Sequence, residues 1–197
     1  MDADVEVIAR CRRGDPAAWI ELYRRHAPTV ARFLHRLAGS SADVDDLVQQ
    51  VFVELVASLD RFRGDARFTT WLYGIASHVA GSHLRGESLW RRHKQEYAEW
   101  CAPDGGAGSD PAAVAQARAM LACTGRAVGA LRFEHRVVWI LHEMEGLGGE
   151  GIAAALGIPA ATARVRLFRA RREVVDALVR EGFAADLGRR FECAAND

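Results

Sequence analysis

Residues 157–172 read GIPAATARVRLFRARR, a Gly-Ile-Pro turn running into a stretch with five arginines and no acidic residue. The preceding segment, EGIAAALG at 150–157, has small and apolar residues where one helix can pack closely on another. Ala153 and Gly157 supply the close approach and the sharp turn that a helix-turn-helix requires. Ala163, Leu167, Ala170 and Val174 recur at three- and four-residue spacing, which predicts one buried stripe on the second helix. Arg164, Arg166, Arg169, Arg171 and Arg172 are then expected to face outward, on a cylinder that fits a major groove. A merely solvated basic helix would need the arginines alone. Here turn, packing residues and charge agree, and together they imply binding to duplex DNA.

The chain as a whole is neutral, with 26 Lys plus Arg against 26 Asp plus Glu over 197 residues. Neutrality does not argue against nucleic acid, because the charge is segregated. Residues 41–60 hold Asp43, Asp45, Asp46, Glu54 and Asp60 without a single Lys or Arg, whereas Arg61, Arg63, Arg67, Arg85, Arg91, Arg92 and Lys94 face only Asp65 and Glu87 across 61–95. Adjacent blocks of opposite sign imply separate faces for separate partners. No segment approaches the roughly 18 uninterrupted apolar residues of a membrane span. MDADVEVIARCRRGDP lacks the apolar core of a secretory signal, so a cytoplasmic protein is expected. Cys11, Cys101, Cys123 and Cys193 are scattered without metal-ligand spacing, and reduced thiols are the simplest reading.

Nearly every periodic segment is helical. Apolar residues at three- and four-residue spacing predict helices over 3–13, 15–38, 43–60, 68–86, about 112–130, 134–145, 149–156 and 160–181. Between Tyr97 and Pro111 the composition shifts to CAPDGGAGSDP, the signature of a flexible linker. The expected fold class is therefore all-α: two small helical domains, an N-terminal helical bundle and a C-terminal helix-turn-helix domain, joined by that linker. The boundaries read as 1–96, linker 97–111, 112–181, and a C-terminal tail 182–197, in which Phe183, Leu187 and Phe191 have the spacing of one more short helix.

The segment DVDDLVQQVFVELVASLD at 43–60 carries a wide apolar stripe, Val44, Leu47, Val48, Val51, Phe52, Leu55 and Leu59. Opposite it lie Asp46, Gln49, Gln50 and Glu54, a face suited to docking a basic protein surface. The following block interleaves arginines with Phe62, Phe68, Trp71 and Tyr73, the combination that holds single-stranded nucleic acid. The spacing of Phe68, Trp71, Leu72 and Ile75 suits a core, so the loop 62–69 is the better candidate for a pocket around an unstacked base.

DVDDLVQQVF, LDRFRGDARFTTWLYGIA and the later helix-turn-helix, in that order, resemble the extracytoplasmic-function (ECF) sigma factors of bacterial RNA polymerase, from about residue 15 to 180. The resemblance implies that Asp43, Asp46, Leu47, Gln49, Gln50 and Phe52 grip the core polymerase. It implies that Arg63, Gly64, Asp65, Arg67, Phe68, Thr69, His78 and Arg85 take part in minus-ten recognition and melting. It assigns minus-thirty-five reading to Thr162, Arg164, Arg166, Arg169 and Arg171. The implied partners are core RNA polymerase, promoter DNA both as duplex and as melted strand, and an anti-sigma factor; no cofactor, metal or enzymatic activity is implied. Several positions depart from the usual pattern: His78 for Asn, Ser82 for an acid, Gln50 for Glu, Gly149 and Gly151 for an aromatic and Glu, and Ala163 for Val.

Two rival readings differ in kind. His142-Glu143 begins like a zinc-binding HExxH helix, but Gly146 stands where the second histidine belongs. A conventional helix-turn-helix regulator, with the N-terminal helices sensing or dimerising, explains the C-terminal motif. It gives no reason for the acidic helix and the basic aromatic block.

Overall fold

A computed structural model describes residues 3–38, 44–86 and 110–183. Its helices are α1 (Ala3–Arg12), α2 (Pro16–Ala38), α3 (Val44–Ser58), α4 (Phe68–Gly86), α5 (Pro111–Ala130), α6 (Phe133–Glu143), α7 (Gly149–Leu156) and α8 (Ala160–Arg180), with one 3₁₀ turn at Leu59–Arg61. No strand occurs among the described residues. The predicted helices lie within a few residues of those observed, because each carries an apolar stripe of helical period. Most of the expected linker, the tail beyond Phe183, Cys101 and Cys193 lie outside the described residues.

Local chemistry sets the ends. Gly14, at φ +81°, turns the chain after α1. Asp15 then caps α2, its Oδ1 accepting from the Ala17 N–H at 2.9 Å, with Pro16 in the first turn where its missing N–H costs nothing. Asp110 and Pro111 repeat the device at α5, so Pro111 belongs to the helix rather than to the linker. On α1, burial pushes the Asp4 carboxyl upward, but hydrogen bonds from Arg25 and His26 outweigh it and hold Asp4 below its ordinary 3.8.

α2 is the central strut. Ala18, Leu22, His26, Val30, Phe33, Leu34 and Leu37 line its inward face against α1, α3 and α4. In the second half of the chain α6 and α5 pack on α8, where Cys123, Val128, Leu131, Ala170, Val174 and Leu178 form a small core of their own. The two halves are not held apart. One hydrophobic cluster runs from Val7 through Leu72 and Val79 to Val138, Leu141, Ile152 and Ala163, and Trp139 touches both this cluster and the smaller one.

Polar groups stitch the halves together as well. Arg136, 1% exposed, donates to the Leu37 carbonyl at 2.8 Å and to those of Gly129 and Leu131. Glu145, just past α6, accepts from both Arg36 of α2 and the Tyr73 hydroxyl of α4. Burial and that neighbouring carboxylate push the Tyr73 phenol well above its ordinary 10.0.

Candidate nucleic-acid and partner interfaces

α7 and α8 form a helix-turn-helix. Their axes turn through 109° across Gly157-Ile158-Pro159, within the range for the motif. Gly157 sits at φ +63°, a left-handed conformation in which any Cβ is strained, and its N–H donates to the Ala153 carbonyl. Ala153, Ala163, Ala170 and Val174 are buried as the periodicity predicts, and Leu167 is partly so.

The expectation that all five arginines face outward needs correction. Arg164, Arg169 and Arg172 are exposed and Thr162 is partly so. Arg166 is half-buried and lines a crevice of about 220 Å³ against α4. Arg171 is turned away from solvent, its side chain 11% exposed, and pairs with Glu143 of α6 at 2.8 Å. It braces α8 against α6 instead of presenting a charge to a groove. The sequence offered no local signal for this, since Glu143 lies 28 residues away. Glu143 thus holds an arginine, and the neighbouring His142 Nδ1 lies 2.9 Å from the Leu147 carbonyl oxygen.

On α3, Asp45, Asp46, Gln49 and Gln50 are exposed together. Leu47 is not part of that face. At 4% exposure it anchors the helix in the core, so its inclusion among partner-contacting residues is corrected. Phe52 is half-buried against the Tyr23 ring, centroids 4.7 Å apart. Asp43 lies outside the described residues. The apolar stripe also missed Val53 and Val56, which are 62% and 58% exposed beside the carboxylates. Two valines off the inward stripe, three apart, were the available signal.

The loop between the 3₁₀ turn and α4 presents Arg63, Asp65 and Arg67 to solvent, with Gly64 at φ +81° making its bend. Its start is pinned by Arg12, which donates to the carbonyls of Leu59 and Phe62. Phe68 is 2% exposed and edge-on to both His26 and Phe62, so it is a core ring and not a stacking platform. Thr69 is partly exposed one residue on, and His78 is exposed on α4. Arg85 lies within α4, but its side chain is outside the described residues.

Comparison with known proteins agrees with this architecture. Sigma-70 region 2 matches residues 22–89, and Sigma-70 region 4 matches residues 121–174. The chain is 33% identical over 178 residues to the ECF RNA polymerase sigma-E factor of Escherichia coli (strain K12), covering 87% of this chain and 92% of that one. It is 30% identical over 183 residues to the RNA polymerase sigma-H factor of Pseudomonas aeruginosa, covering 90% and 95%. Among solved structures, CnrH in complex with the cytosolic domain of CnrY superposes with a TM-score of 0.62 at 27% identity, over 90% of this chain and 97% of that one. The sigma factor RpoE in complex with the anti-sigma factor NepR, from Bartonella quintana, shares the fold at a TM-score of 0.57 and 22% identity. The chain belongs to the ECF family of RNA polymerase sigma factors, subunits that direct the polymerase to promoters. That membership displaces the conventional-regulator reading, which had no use for region 2. Among the described residues no single helix is long and apolar enough to cross a membrane.

Proposed function

We propose that this chain divides the sigma task among three surfaces. The exposed Asp46, Gln49 and Gln50, with Phe52 and the neighbouring valines, dock the core polymerase; Asp43 extends that face in sequence. Arg63 to Arg67, Thr69, His78 and Arg85 serve minus-ten capture and melting, with Phe68 supporting the loop from beneath. Thr162, Arg164, Arg166 and Arg169 read the minus-thirty-five element in the major groove. Residues 1–96 and 112–181 act as the two functional domains, with 97–111 between them. The chain performs no chemistry of its own, works in the cytoplasm, and is held in check by an anti-sigma protein.

The observation that carries this reading is the 109° helix-turn-helix whose second helix leaves Arg164, Arg169 and Arg172 exposed. Bidentate arginine contacts to guanine are worth about 1–3 kcal/mol of base discrimination each. Arg164→Ala should therefore lose promoter selectivity by roughly one order of magnitude or more while still binding polymerase. Asp46→Lys with Gln50→Lys should do the reverse, abolishing co-purification with core polymerase in a chain that still folds. Unchanged promoter choice in the first variant, or retained polymerase binding in the second, refutes the corresponding assignment.

A further inference from the structure

The loop between the 3₁₀ turn and α4 has little to hold its own shape. Among the described residues no backbone hydrogen bond engages residues 63–66, and Gly64, at φ +81°, bends the chain without a side chain to pack. On the near side the Phe62 N–H donates to the Leu59 carbonyl at 3.1 Å, and on the far side the Trp71 N–H donates to the Arg67 carbonyl at 3.2 Å. A loop held only at its two ends takes its direction from them.

The entry end is fixed twice. The Phe62 ring packs against Phe68 and Trp71, with centroids 5.4 and 5.3 Å away. The Phe62 carbonyl accepts from the Arg12 guanidinium, which also donates to the Leu59 carbonyl at 3.1 Å. The ring sets where the residue sits, and the guanidinium sets which way the following peptide faces as the chain departs toward Arg63. Arg12 lies 47 and 50 residues before these carbonyls, so chain connectivity does not impose the contact. Its own support is stiff: Val7, Ile8 and Cys11 bury α1, and Arg10 ties the end of that helix to Asp15 and Glu21 at 2.7 and 3.1 Å. A cation is favoured beside the carbonyls that end a helical turn, and a charged donor makes the stronger kind of hydrogen bond. Arg13, the adjacent exposed cation, takes no part in these bonds.

We propose that Arg12 of α1 is a positioning residue for promoter opening: by holding the Leu59 and Phe62 carbonyls it aims the loop from Arg63 to Arg67 at the unstacked base. Arg12 touches no base and acts through the loop. The proposal rests on the assignment of that loop to minus-ten capture and deepens it, adding a residue from a helix to which no promoter role was assigned. An extruded base is captured in proportion to the fraction of loops already correctly aimed. Loosening the entry therefore slows opening, without altering how the chain meets polymerase or the upstream duplex.

The full-length chain can be compared with its Arg12→Met, Arg12→Lys and Arg13→Met variants in two assays. Hydrogen exchange at the Phe62 amide of the free chain reports the loop entry. Holoenzyme reconstituted with core polymerase, on a promoter mapped with the wild-type protein and carrying 2-aminopurine in its minus-ten strand, separates closed-complex affinity from opening rate. Arg12→Met should speed exchange at Phe62 by about tenfold or more, the worth of a charged hydrogen bond. It should slow opening by about the same factor, with polymerase affinity and closed-complex affinity within about twofold of wild type. Arg12→Lys, which keeps a charged donor, should recover part of both losses, and Arg13→Met, which removes the neighbouring charge, should match wild type. Wild-type exchange in the free Arg12→Met chain overturns the proposal even if opening slows, because Arg12 would then be meeting DNA directly. Faster exchange with an unchanged opening rate also overturns it. Wild-type opening by Arg63→Ala and Asp65→Ala would instead overturn the minus-ten assignment of the loop, and exchange at Phe62 would still decide whether Arg12 holds it.

Discussion

Replacing Gly151 by alanine should stabilise this protein, and the structure says by how much. Gly151 lies inside α7 with no left-handed backbone requirement. A Cβ there would meet the Leu147 Cβ and Cδ2 at 3.6 Å, ordinary van der Waals contact. Relieving an interior glycine is worth about 0.8–1.0 kcal/mol of helix propensity. A methyl group half-buried against Leu147 adds about 0.4 kcal/mol more, taking half of the usual value per buried carbon. A total near 1.3 kcal/mol should raise the thermal midpoint of a chain this size by about 3–5 °C, at roughly 2–4 °C per kcal/mol. Circular dichroism at the helical minimum, followed through thermal unfolding, measures it. Gly157→Ala is the control: at φ +63° the same added methyl should destabilise by about 1 kcal/mol. A midpoint for Gly151→Ala that is unchanged or lowered would mean that α7 does not begin its helix at Gly149 in solution, and the account of the helix-turn-helix would need rebuilding.

Three further outcomes are expected. The neutral Tyr73 phenol is stabilised in the fold by burial and by Glu145, so its folded value stands above the unfolded 10.0. The stability it contributes is then complete below pH 10 and is lost as pH rises beyond that toward the folded value. Ultraviolet titration of tyrosinate should show one of the three tyrosines ionising late, and Tyr73→Phe should remove that late step. Arg136→Met strips the carbonyls of Leu37, Gly129 and Leu131 of their buried charged donor and should cost about 3 kcal/mol in chemical denaturation; a loss under about 1 kcal/mol would refute its role as a stitch between the halves. Arg172→Ala, removing an exposed charge from α8, should weaken holoenzyme binding evenly across promoter sequences and flatten the salt dependence by about one unit of slope. Sequence-selective loss would instead make Arg172 a base reader.

The amino-acid sequence determined this protein's helices and their ends. Helical period, a capping Asp before Pro at 15–16, and a turn glycine at 157 are all written within a few neighbouring residues, and each survives in the structure, whereas Asp110 and Pro111, which read as linker, start α5. The helix-turn-helix was legible for the same reason, since its turn and its small packing residues span one short stretch. What needed tertiary structure was everything set by residues far apart in the chain. Leu47 and Phe68 have core spacing and are buried, although the family resemblance places them among partner-contacting residues, and Arg171 looks like a groove contact until Glu143 claims it. Glycines at 74 and 81 look like weak points in α4 until Ala155 and Phe133 arrive against them. Periodicity reports which face of a helix is buried but not what buries it, because a partner on another helix leaves no mark at the 3.6-residue period. The packing of α4 on α7 is of this kind: Gly74 and Ala155 were both visible, and only their convergence was not.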